Sequence, residues 1–259
     1  MKIAIITCGR RGTAAKCLPE LVSTKNLEIV GVFLAIGSGG NKKKLIIRKI
    51  KKTLKIGILG AWNGVKMRKW YKEDSAEDIE SLCNKFSIPF KVINGLNSQD
   101  MRDALASSKA DLGVSLGNGF ISPTVFTIPK YGMINLHSEI LPAYQNAQSI
   151  IWPIYFNDPY TGFTIHEIER KIDAGRILFQ KKYPITFFPQ LEKTVRENKR
   201  KVDKDVPRAV AEVCANFLQY REKAVPQSNA GHYTTPSIWQ FWRMCRNNKA
   251  FFNAQGGEK

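Results

Sequence analysis

Residues 132–180 read GMINLHSEILPAYQNAQSIIWPIYFNDPYTGFTIHEIERKIDAGRILFQ, in which polar groups able to do chemistry lie between apolar, strand-like runs. Asn135 and His137 are two residues apart in such a run, so their side chains are predicted to project from the same face of a strand. Leu141-Pro142 ends the run shortly afterwards. The pair is therefore predicted near the exit of the strand, where open α/β sheets bind ligands.

A carboxylate follows in the same stretch. Asp173-Ala174-Gly175 lies between two further β-like runs, at 163–168 and 176–180. A turn in that position can bring Asp173 opposite the amide and the imidazole. We expect the active site at these three residues.

The remainder of the chain alternates between apolar, β-branched runs and helix-compatible segments. Runs at 2–7, 27–34 and 110–116 predict an open, mostly parallel, Rossmann-like α/β sheet with helices on both faces. From about residue 190 the composition becomes charge-rich and helical. We expect a catalytic domain over 1–190 and a mainly helical C-terminal extension over 191–259 that completes the substrate site or a subunit interface. Its helix from Pro207 is predicted to bury Val206, Val210, Val213, Cys214, Phe217 and Leu218, whereas 191–205 is expected to be exposed.

The charge of the chain is strongly positive. A formal net charge of +18 indicates an anionic partner, either a nucleotide, a nucleic acid or an acidic membrane surface. Residues 42–72 contain twelve Lys or Arg and no acid, which predicts an amphipathic basic helix. Four interpretations stay open for it: a solvated face, a surface that attracts a phosphate-bearing substrate, peripheral contact with anionic lipid, and nucleic-acid binding. The apolar stripe of Ile46, Ile47, Ile50 and Leu54 favours lipid.

The sequence gives little support to several other classes of protein. No run approaches the ~18 apolar residues of a transmembrane helix, and the five cysteines form no CxxC pair, so a cytoplasmic location is expected, with the inner face of the membrane as the alternative. Three separated histidines do not suggest a metal site. Gly9-Arg10-Arg11-Gly12 lacks the spacing of a dinucleotide loop. Ser138 adjoins His137 on the opposite strand face, which disfavours a serine hydrolase.

Several short motifs follow one another along the chain in an order that is specific to one known family. Asn135-x-His137, Leu141-Pro142, Thr161-Gly162 and Ile172-Asp173-Ala174-Gly175 together resemble the N10-formyltetrahydrofolate-dependent formyltransferase family, and most of all its sugar N-formyltransferases. The resemblance implies a catalytic triad of Asn135, His137 and Asp173, N10-formyltetrahydrofolate as co-substrate, and no metal. One departure is the family's Arg-Gly after Leu-Pro, where this chain reads Tyr144-Gln145-Asn146-Ala147.

The resemblance also implies binding residues. The loop Asn118, Gly119, Phe120 and Ile121, together with Asp173, is expected to hold the pterin of the folate. Independently of the resemblance, Arg10 or Arg11 is expected to touch a substrate phosphate, because their loop leaves the carboxyl end of the first strand. A sugar and base are expected to contact Tyr144, Gln145, Asn146, Gln148 and Ser149. Core packing is the competing interpretation for Trp152, and His166 is interpreted as mainly structural.

The residue types suit formyl transfer to an amine. Asn135 can donate a hydrogen bond where negative charge develops. His137 can accept the proton of the amine or, when charged, stabilise the oxyanion, and Asp173 is expected to favour the charged form of His137.

The expected acceptor is a nucleotide-linked dideoxy amino sugar for cell-surface polysaccharide, with GDP-perosamine first. Methionyl-tRNA and glycinamide ribonucleotide are the alternatives within the family. A non-catalytic basic module on nucleic acid or membrane is the alternative outside it. Nucleic acid is not the expected partner, and a homodimer is left open.

Overall fold

The computed structural model describes residues 1–37, 42–71 and 76–256, with backbone alone at 42–45, 48, 49 and 52. The described strands are β1 (Lys2–Thr7), β2 (Glu28–Ile36), β3 (Phe90–Asn94), β4 (Leu112–Ser115), β5 (Met133–His137), β6 (Tyr160–Glu167) and β7 (Ile177–Pro184). The described α-helices are α1 (Thr13–Ser23), α2 (Lys42–Arg68), α3 (Ile79–Lys85), α4 (Gln99–Ser108), α5 (Pro123–Phe126), α6 (Ile151–Tyr155), α7 (Leu191–Asp203), α8 (Val206–Ala215), α9 (Phe217–Glu222) and α10 (Ile238–Ala254). A 3₁₀ turn, Lys69–Tyr71, follows α2.

The strands form one sheet in the order β3-β2-β1-β4-β5-β6-β7. The pairs from β3 to β5 are parallel, and the last two pairs, β5–β6 and β6–β7, are antiparallel. The predicted open, mostly parallel sheet is therefore confirmed. Because β1 to β5 run in one direction, their carboxyl ends meet at one edge, which is where such sheets bind ligands.

Helices cover both faces of the sheet, as the alternation along β1 shows. Ile3 and Ile5 pack into a core with residues of α1 and α8, whereas Ala4 and Ile6 pack into a second core with residues of α4. Successive strand side chains point to opposite faces, so a fully apolar strand needs a helical layer on each side. A third apolar cluster joins α6, α7 and α10 beside the sheet.

The C-terminal segment packs more closely than its composition indicates. The expectation that 191–205 is exposed is wrong in part, because one face of α7 buries Leu191, Val195 and Val202. The predicted stripe on α8 is correct except for Leu218, which is 54% exposed. Phe217 and Leu218 both lie on α9 rather than α8. Successive helical residues are about 100° apart around the axis, and at this position Phe217 is buried whereas Leu218 points to solvent.

The boundary expected at residue 190 stays a prediction. Val206 and Phe217 belong to the same buried core as Ile3 and Ile5 of β1, so the packing continues across that position.

The basic segment forms the predicted helix over most of its length. Gly57 interrupts α2 with a positive φ of 76°, a conformation that glycine adopts without steric cost. Ile46, Ile47, Ile50 and Leu54 of the predicted stripe are all exposed. Of the twelve cations, Lys72 and the side chains of Lys42, Lys43, Lys44, Arg48, Lys49 and Lys52 lie outside the described residues. In the part of the chain that is described, no helix has the length and apolarity to span a bilayer.

Candidate active site

Polar side chains gather where β4 and β5 end. Ser115 is the last residue of β4 and Asn135 is its partner on β5, while His166 of β6 is paired with Asn135 on the other side. A cavity of about 320 Å³ opens here, and its lining includes Asn135, His137 and Asp173. The three residues expected to act together therefore line one cavity.

His137 is buried and oriented by the backbone. Its Nε2 lies 2.8 Å from the carbonyl oxygen of Tyr144, and its Nδ1 lies 3.5 Å from Oδ2 of Asp173. Because a carbonyl can only accept, Nε2 carries a proton and donates it to Tyr144. In the neutral ring Nδ1 is then an unprotonated base that faces a carboxylate.

Opposing effects set the pKa of His137. Burial lowers the pKa below its usual value, and this outweighs the opposing effect of the Asp173 charge and the hydrogen bond to Tyr144. Asp173 thus favours the charged form of His137, as expected, but burial has the larger effect and keeps the net pKa below its usual value. His137 is held neutral and ready to accept a proton.

Asp173 is fixed by contacts on both its side chain and its backbone. Its Oδ2 accepts from the Asn146 N–H at 2.8 Å, and its carbonyl accepts from the side chains of Gln145 and Gln227 at 3.0 and 2.9 Å. Burial raises the pKa of Asp173, but the neighbouring imidazoles of His166 and His137 in their charged forms, together with the Asn146 N–H, outweigh it and lower that pKa to about 2. The carboxylate is therefore charged throughout the working range of pH.

The turn that carries Asp173 requires a glycine two residues later. A Cβ on Gly175 would overlap the carbonyl oxygen of Glu167 on β6. The close approach lets the turn lie against the end of β6, so that Asp173 reaches β5. The Asp-Ala-Gly sequence thus has a steric reason as well as a chemical one.

A chain of hydrogen bonds sets the orientation of Asn135. Asn118 Nδ2 donates to Ser115 Oγ at 3.0 Å, and Ser115 Oγ donates to Asn135 Oδ1 at 2.9 Å. Asn135 Nδ2 lies 3.2 Å from His166 Nε2. His166 Nδ1 lies 2.8 Å from the carbonyl of Glu167, so Nδ1 is the protonated nitrogen and Nε2 accepts. One amide hydrogen of Asn135 is thereby used, and the second is free for an oxygen in the cavity.

His166 contributes more than the sequence interpretation gave it. Besides fixing Asn135, its Nε2 lies 3.6 Å from Oδ1 of Asp173. The two-residue spacing of Thr164 and His166 shows that they share a strand face, but pairing with Asn135 depends on the register between β5 and β6. That register is not encoded in any local motif.

The loop after β4 forms one wall of the cavity, where the folate was expected. Gly117, Asn118, Gly119, Phe120 and Ile121 all line it. The Oδ1 of Asn118 is buried and has no partner within the described protein, and Phe120 is 49% exposed. An unpartnered acceptor beside an exposed aromatic ring fits a flat heterocycle with N–H donors, such as a pterin.

A second cavity of about 540 Å³ adjoins the first and shares Gly117, Ser138 and Ala147 with it. Its lining includes the cations Arg11, Arg68 and Lys199, of which Lys199 is paired with Asp203. It also includes Gly12 and Thr13, where α1 begins. Backbone N–H groups and the dipole at a helix N-terminus favour an anion there.

The expected acceptor-binding residues divide between the two cavities. Gln148 and Ser149 line the second cavity, and the Oε1 of Gln148 is buried without a described partner. Asn146 lines the first cavity and donates through Nδ2 to the carbonyl of Tyr233 at 3.0 Å.

Three other expected residues have different contacts. Tyr144 is 5% exposed and donates to Asp158 at 3.0 Å, and Gln145 is 1% exposed and supports the Asp173 turn. Arg10 pairs with Asp78 at 2.9 Å and with Glu80, and it lines neither cavity, whereas its neighbour Arg11 does. Trp152 is buried and stacks on Tyr233 with centroids 4.7 Å apart, in agreement with core packing.

Among the described residues, no group of three or more His, Cys, Asp or Glu side chains is placed to hold a metal ion. The first cavity itself offers an amide, an imidazole and a carboxylate, from Asn135, His137 and Asp173.

Comparison with known proteins connects this geometry to a family. Residues 32–213 match the formyl transferase family. The methionyl-tRNA formyltransferase of Nitrosomonas europaea is 29% identical over 126 residues, which are 48% of this chain and 37% of that protein. The chain thus spans little more than a third of the length of that relative.

Solved structures share the fold. A glycinamide ribonucleotide transformylase from Symbiobacterium toebii superimposes with a TM-score of 0.58 at 13% identity, covering 92% of this chain and 94% of the other. A sugar N-formyltransferase from Shewanella sp. FDAARGOS_354 gives 0.57 at 14% identity, covering 96% and 87%. A sugar 3N-formyl transferase solved with dTDP and 5-N-formyl-THF gives 0.53 at 17% identity, covering 90% and 69%.

The matched residues include β4, β5, β6 and the Asp173 turn, so the family match and the cavity rest on the same part of the chain. The chain belongs to the formyl transferase family.

Proposed function

We propose that this protein transfers a formyl group from N10-formyltetrahydrofolate to the primary amine of a phosphate-bearing acceptor, and that the acceptor is a nucleotide-linked amino sugar. The observation that carries the proposal is the pair of adjoining cavities. One contains Asn135, His137 and Asp173, and the other contains Arg11, Arg68 and Lys199. A formyl donor in the first and an anionic acceptor in the second would meet at the triad.

His137 is the proposed proton acceptor. An attacking amine is neutral and becomes cationic as its nitrogen bonds to the formyl carbon, so it must lose a proton. The bond between the formyl carbon and N10 of the folate then breaks, and N10 takes up a proton that the imidazolium can return, which releases tetrahydrofolate. Nδ1 of His137 is the unprotonated nitrogen, and the Asp173 carboxylate lies 3.5 Å from it. Protonation at Nδ1 creates an ion pair with Asp173, which stabilises the imidazolium as it forms.

Asn135 is the proposed donor to the formyl oxygen, where negative charge develops. Its amide is already fixed between Ser115 and His166, so no reorientation is required when the charge appears. Such preorganised donors are worth ~10²–10³ in rate in other enzymes.

The second cavity suits a diphosphate. Arginine recognises phosphate oxygens through two parallel N–H donors, and both Arg11 and Arg68 line this cavity. Gln148 adds an unpartnered acceptor for the hydroxyl of a sugar or the N–H of a base. The sugar structure solved with dTDP supports this acceptor class, with GDP-perosamine as the first compound to test.

Methionyl-tRNA is a second acceptor to test, because one relative of the chain is a methionyl-tRNA formyltransferase and the chain carries a net charge of +18. A polyanionic tRNA would use the same sign of charge that a nucleotide sugar uses. The third family substrate, glycinamide ribonucleotide, also carries a phosphate.

The deciding experiment offers the purified protein N10-formyltetrahydrofolate with each acceptor separately. The acceptors are GDP- and dTDP-linked 4-amino and 3-amino sugars, glycinamide ribonucleotide and methionyl-tRNA. We expect formyl transfer to a nucleotide-linked amino sugar with the highest kcat/KM. A highest kcat/KM for methionyl-tRNA would replace the acceptor, and no turnover with any amine would contradict the proposed reaction.

A further inference from the structure

The outward face of α2 after its kink is apolar. Its inward face contacts the protein through small and buried residues, with Gly60 packed against the start of α10 so that a Cβ there would lie 3.2 Å from Ser237 Cα. Met67 is fully buried. The opposite face presents four large side chains that are 53–80% exposed, Ile58, Leu59, Trp62 and Val65.

The first half of α2 also exposes large apolar side chains. The exposed fractions of Ile46, Ile47, Ile50 and Leu54 range from 52% to 79%. The spacing i, i+1, i+4 and i+8 places them in one stripe about 100° wide. Two successive helical segments thus present apolar stripes to solvent, which a monomeric soluble protein rarely does at this scale.

The neighbouring helix adds aromatic side chains. Trp239 and Trp242 are 71% and 55% exposed, and their rings meet edge to face with centroids 4.9 Å apart. They lie one turn apart near the start of α10, the end that contacts Gly60 of α2. Arg243 and Arg246 are also exposed on α10.

The charge of these two elements has a single sign. Residues 42–72 contain twelve cations, and neither that segment nor α10 contains an acid. Exposed aliphatic side chains, interfacial tryptophans and lysines together are the composition of helices that lie in the headgroup region of anionic bilayers. Phosphate capture or nucleic-acid binding would use the cations and leave the apolar stripes uncovered.

A second copy of the chain is a less suitable occupant. A symmetric dimer places the same patch against itself, so two acid-free basic segments would face each other. Their repulsion would oppose association.

We propose that α2 and the start of α10 form a docking surface for an anionic phospholipid bilayer. The aliphatic stripes and the exposed tryptophans enter the interface, and the flanking lysines contact the headgroups. This would bring the catalytic cavities to the membrane surface without a spanning segment, and it is independent of which amine is formylated.

Vesicle co-sedimentation tests the proposal with the full chain. Vesicles of phosphatidylglycerol with phosphatidylcholine are compared with vesicles of phosphatidylcholine alone. We expect binding to the anionic vesicles, with tryptophan emission shifting to shorter wavelength. The triple change Ile58→Ser, Leu59→Ser and Trp62→Ser should lower vesicle binding about tenfold or more. The matched control is Leu218→Ser with Val225→Ser, which are exposed to 54% and 59% away from α2, and it should bind as wild type does.

A charge series separates lipid electrostatics from apolar insertion. Lys51→Gln, Lys55→Gln and Lys66→Gln together should lower binding about a hundredfold, and the control Lys25→Gln, Lys204→Gln and Lys223→Gln should lower it much less. All six lysines are exposed, and unchanged thermal unfolding midpoints would show that each variant is folded.

Two outcomes would overturn the proposal. One is the absence of binding to anionic vesicles by the wild-type protein. The other is concentration-dependent self-association in sedimentation velocity that the apolar triple change abolishes, without any binding to vesicles. The second outcome would assign the surface to a second copy.

Discussion

The two adjoining cavities are built in different ways. In the first, the polar groups come from neighbouring strand ends and are bonded to one another, as in the chain from Asn118 through Ser115 and Asn135 to His166. In the second, the cations come from positions far apart in the sequence, Arg11, Arg68 and Lys199. This difference is the one expected if the first cavity holds reacting groups in a rigid geometry and the second attracts an anionic acceptor by its charge.

The largest expected effect is that of a substitution in the first cavity, where the polar groups hold one another in place. Asn135→Ala should lower kcat about 10²–10³-fold, because it removes the preoriented donor to the formyl oxygen. KM for the acceptor should change little, since the interaction belongs to the transition state. Steady-state kinetics measures both, with the exposed Asn84→Ala of α3 as control. A rise in KM with normal kcat would move Asn135 from chemistry to binding.

The next effect concerns a buried carboxyl group next to Ser138, a residue that lines both cavities. Glu139 is fully buried and accepts from the N–H groups of Ile140 and Ile150 and from the hydroxyl of Thr161. Glu139→Ala leaves these donors buried without a partner, which should lower the free energy of unfolding by about 3 kcal/mol.

This loss should depend on pH. Burial raises the pKa of Glu139 to about 7. The folded protein therefore binds the carboxyl proton of Glu139 more tightly than the unfolded chain does. The stability that Glu139 contributes is therefore fully present below the pKa that its carboxyl has in the unfolded chain. It is lost as pH rises through about 7. Denaturant unfolding at pH 5 and pH 8 should show a larger effect of Glu139→Ala at pH 5. A larger effect at pH 8 would contradict this, and the exposed Glu20→Ala is the control.

A smaller effect is expected in the second cavity. Arg11→Gln should raise the acceptor KM about tenfold with little change in kcat, because one charge-assisted contact to phosphate is lost. Arg10→Gln is the matched control, since Arg10 pairs with Asp78 and Glu80 outside the cavity. Equal effects of the two changes would argue against a phosphate position beside Arg11.

The smallest effect is a displacement of the pH profile. Activity should rise with pH as His137 loses its proton, with a midpoint below the ordinary histidine value because burial lowers its pKa. Asp173→Asn removes the charge that partly opposes this shift, so the midpoint should fall further. Profiles of kcat/KM from pH 5 to 9 with one acceptor test this. A midpoint that moves upward in the variant would exclude Asp173 as the partner of the imidazolium.

Local sequence patterns predicted the first cavity well. The two-residue spacing of Asn135 and His137 fixes a shared face without reference to the rest of the fold, and Asp173-Ala174-Gly175 between two strands brings the carboxylate opposite them. The order of apolar runs likewise predicted the sheet. These features depend on periodicities of a few residues, which a sequence displays directly.

Long-range contacts were beyond such patterns. Gln227 supports the Asp173 turn from 54 positions away, and His166 meets Asn135 through the register of β5 with β6. Arg10 and Arg11 are adjacent and have the same side chain. Arg10 pairs with Asp78, 68 positions further on, and this distant contact distinguishes it from Arg11. Tyr144 and Gln145 were expected at the acceptor, but the loop that carries them folds inward.

The central claim is that His137 accepts the proton of an amine during formyl transfer. The most direct test mixes wild type and His137→Ala separately with N10-formyltetrahydrofolate and a nucleotide-linked amino sugar, and follows the formylated product by mass spectrometry under single-turnover conditions. The account predicts rapid product formation by wild type and a rate about 10²–10⁴-fold lower in the variant, with both proteins folded and binding the acceptor equally. An unchanged single-turnover rate in His137→Ala would contradict it.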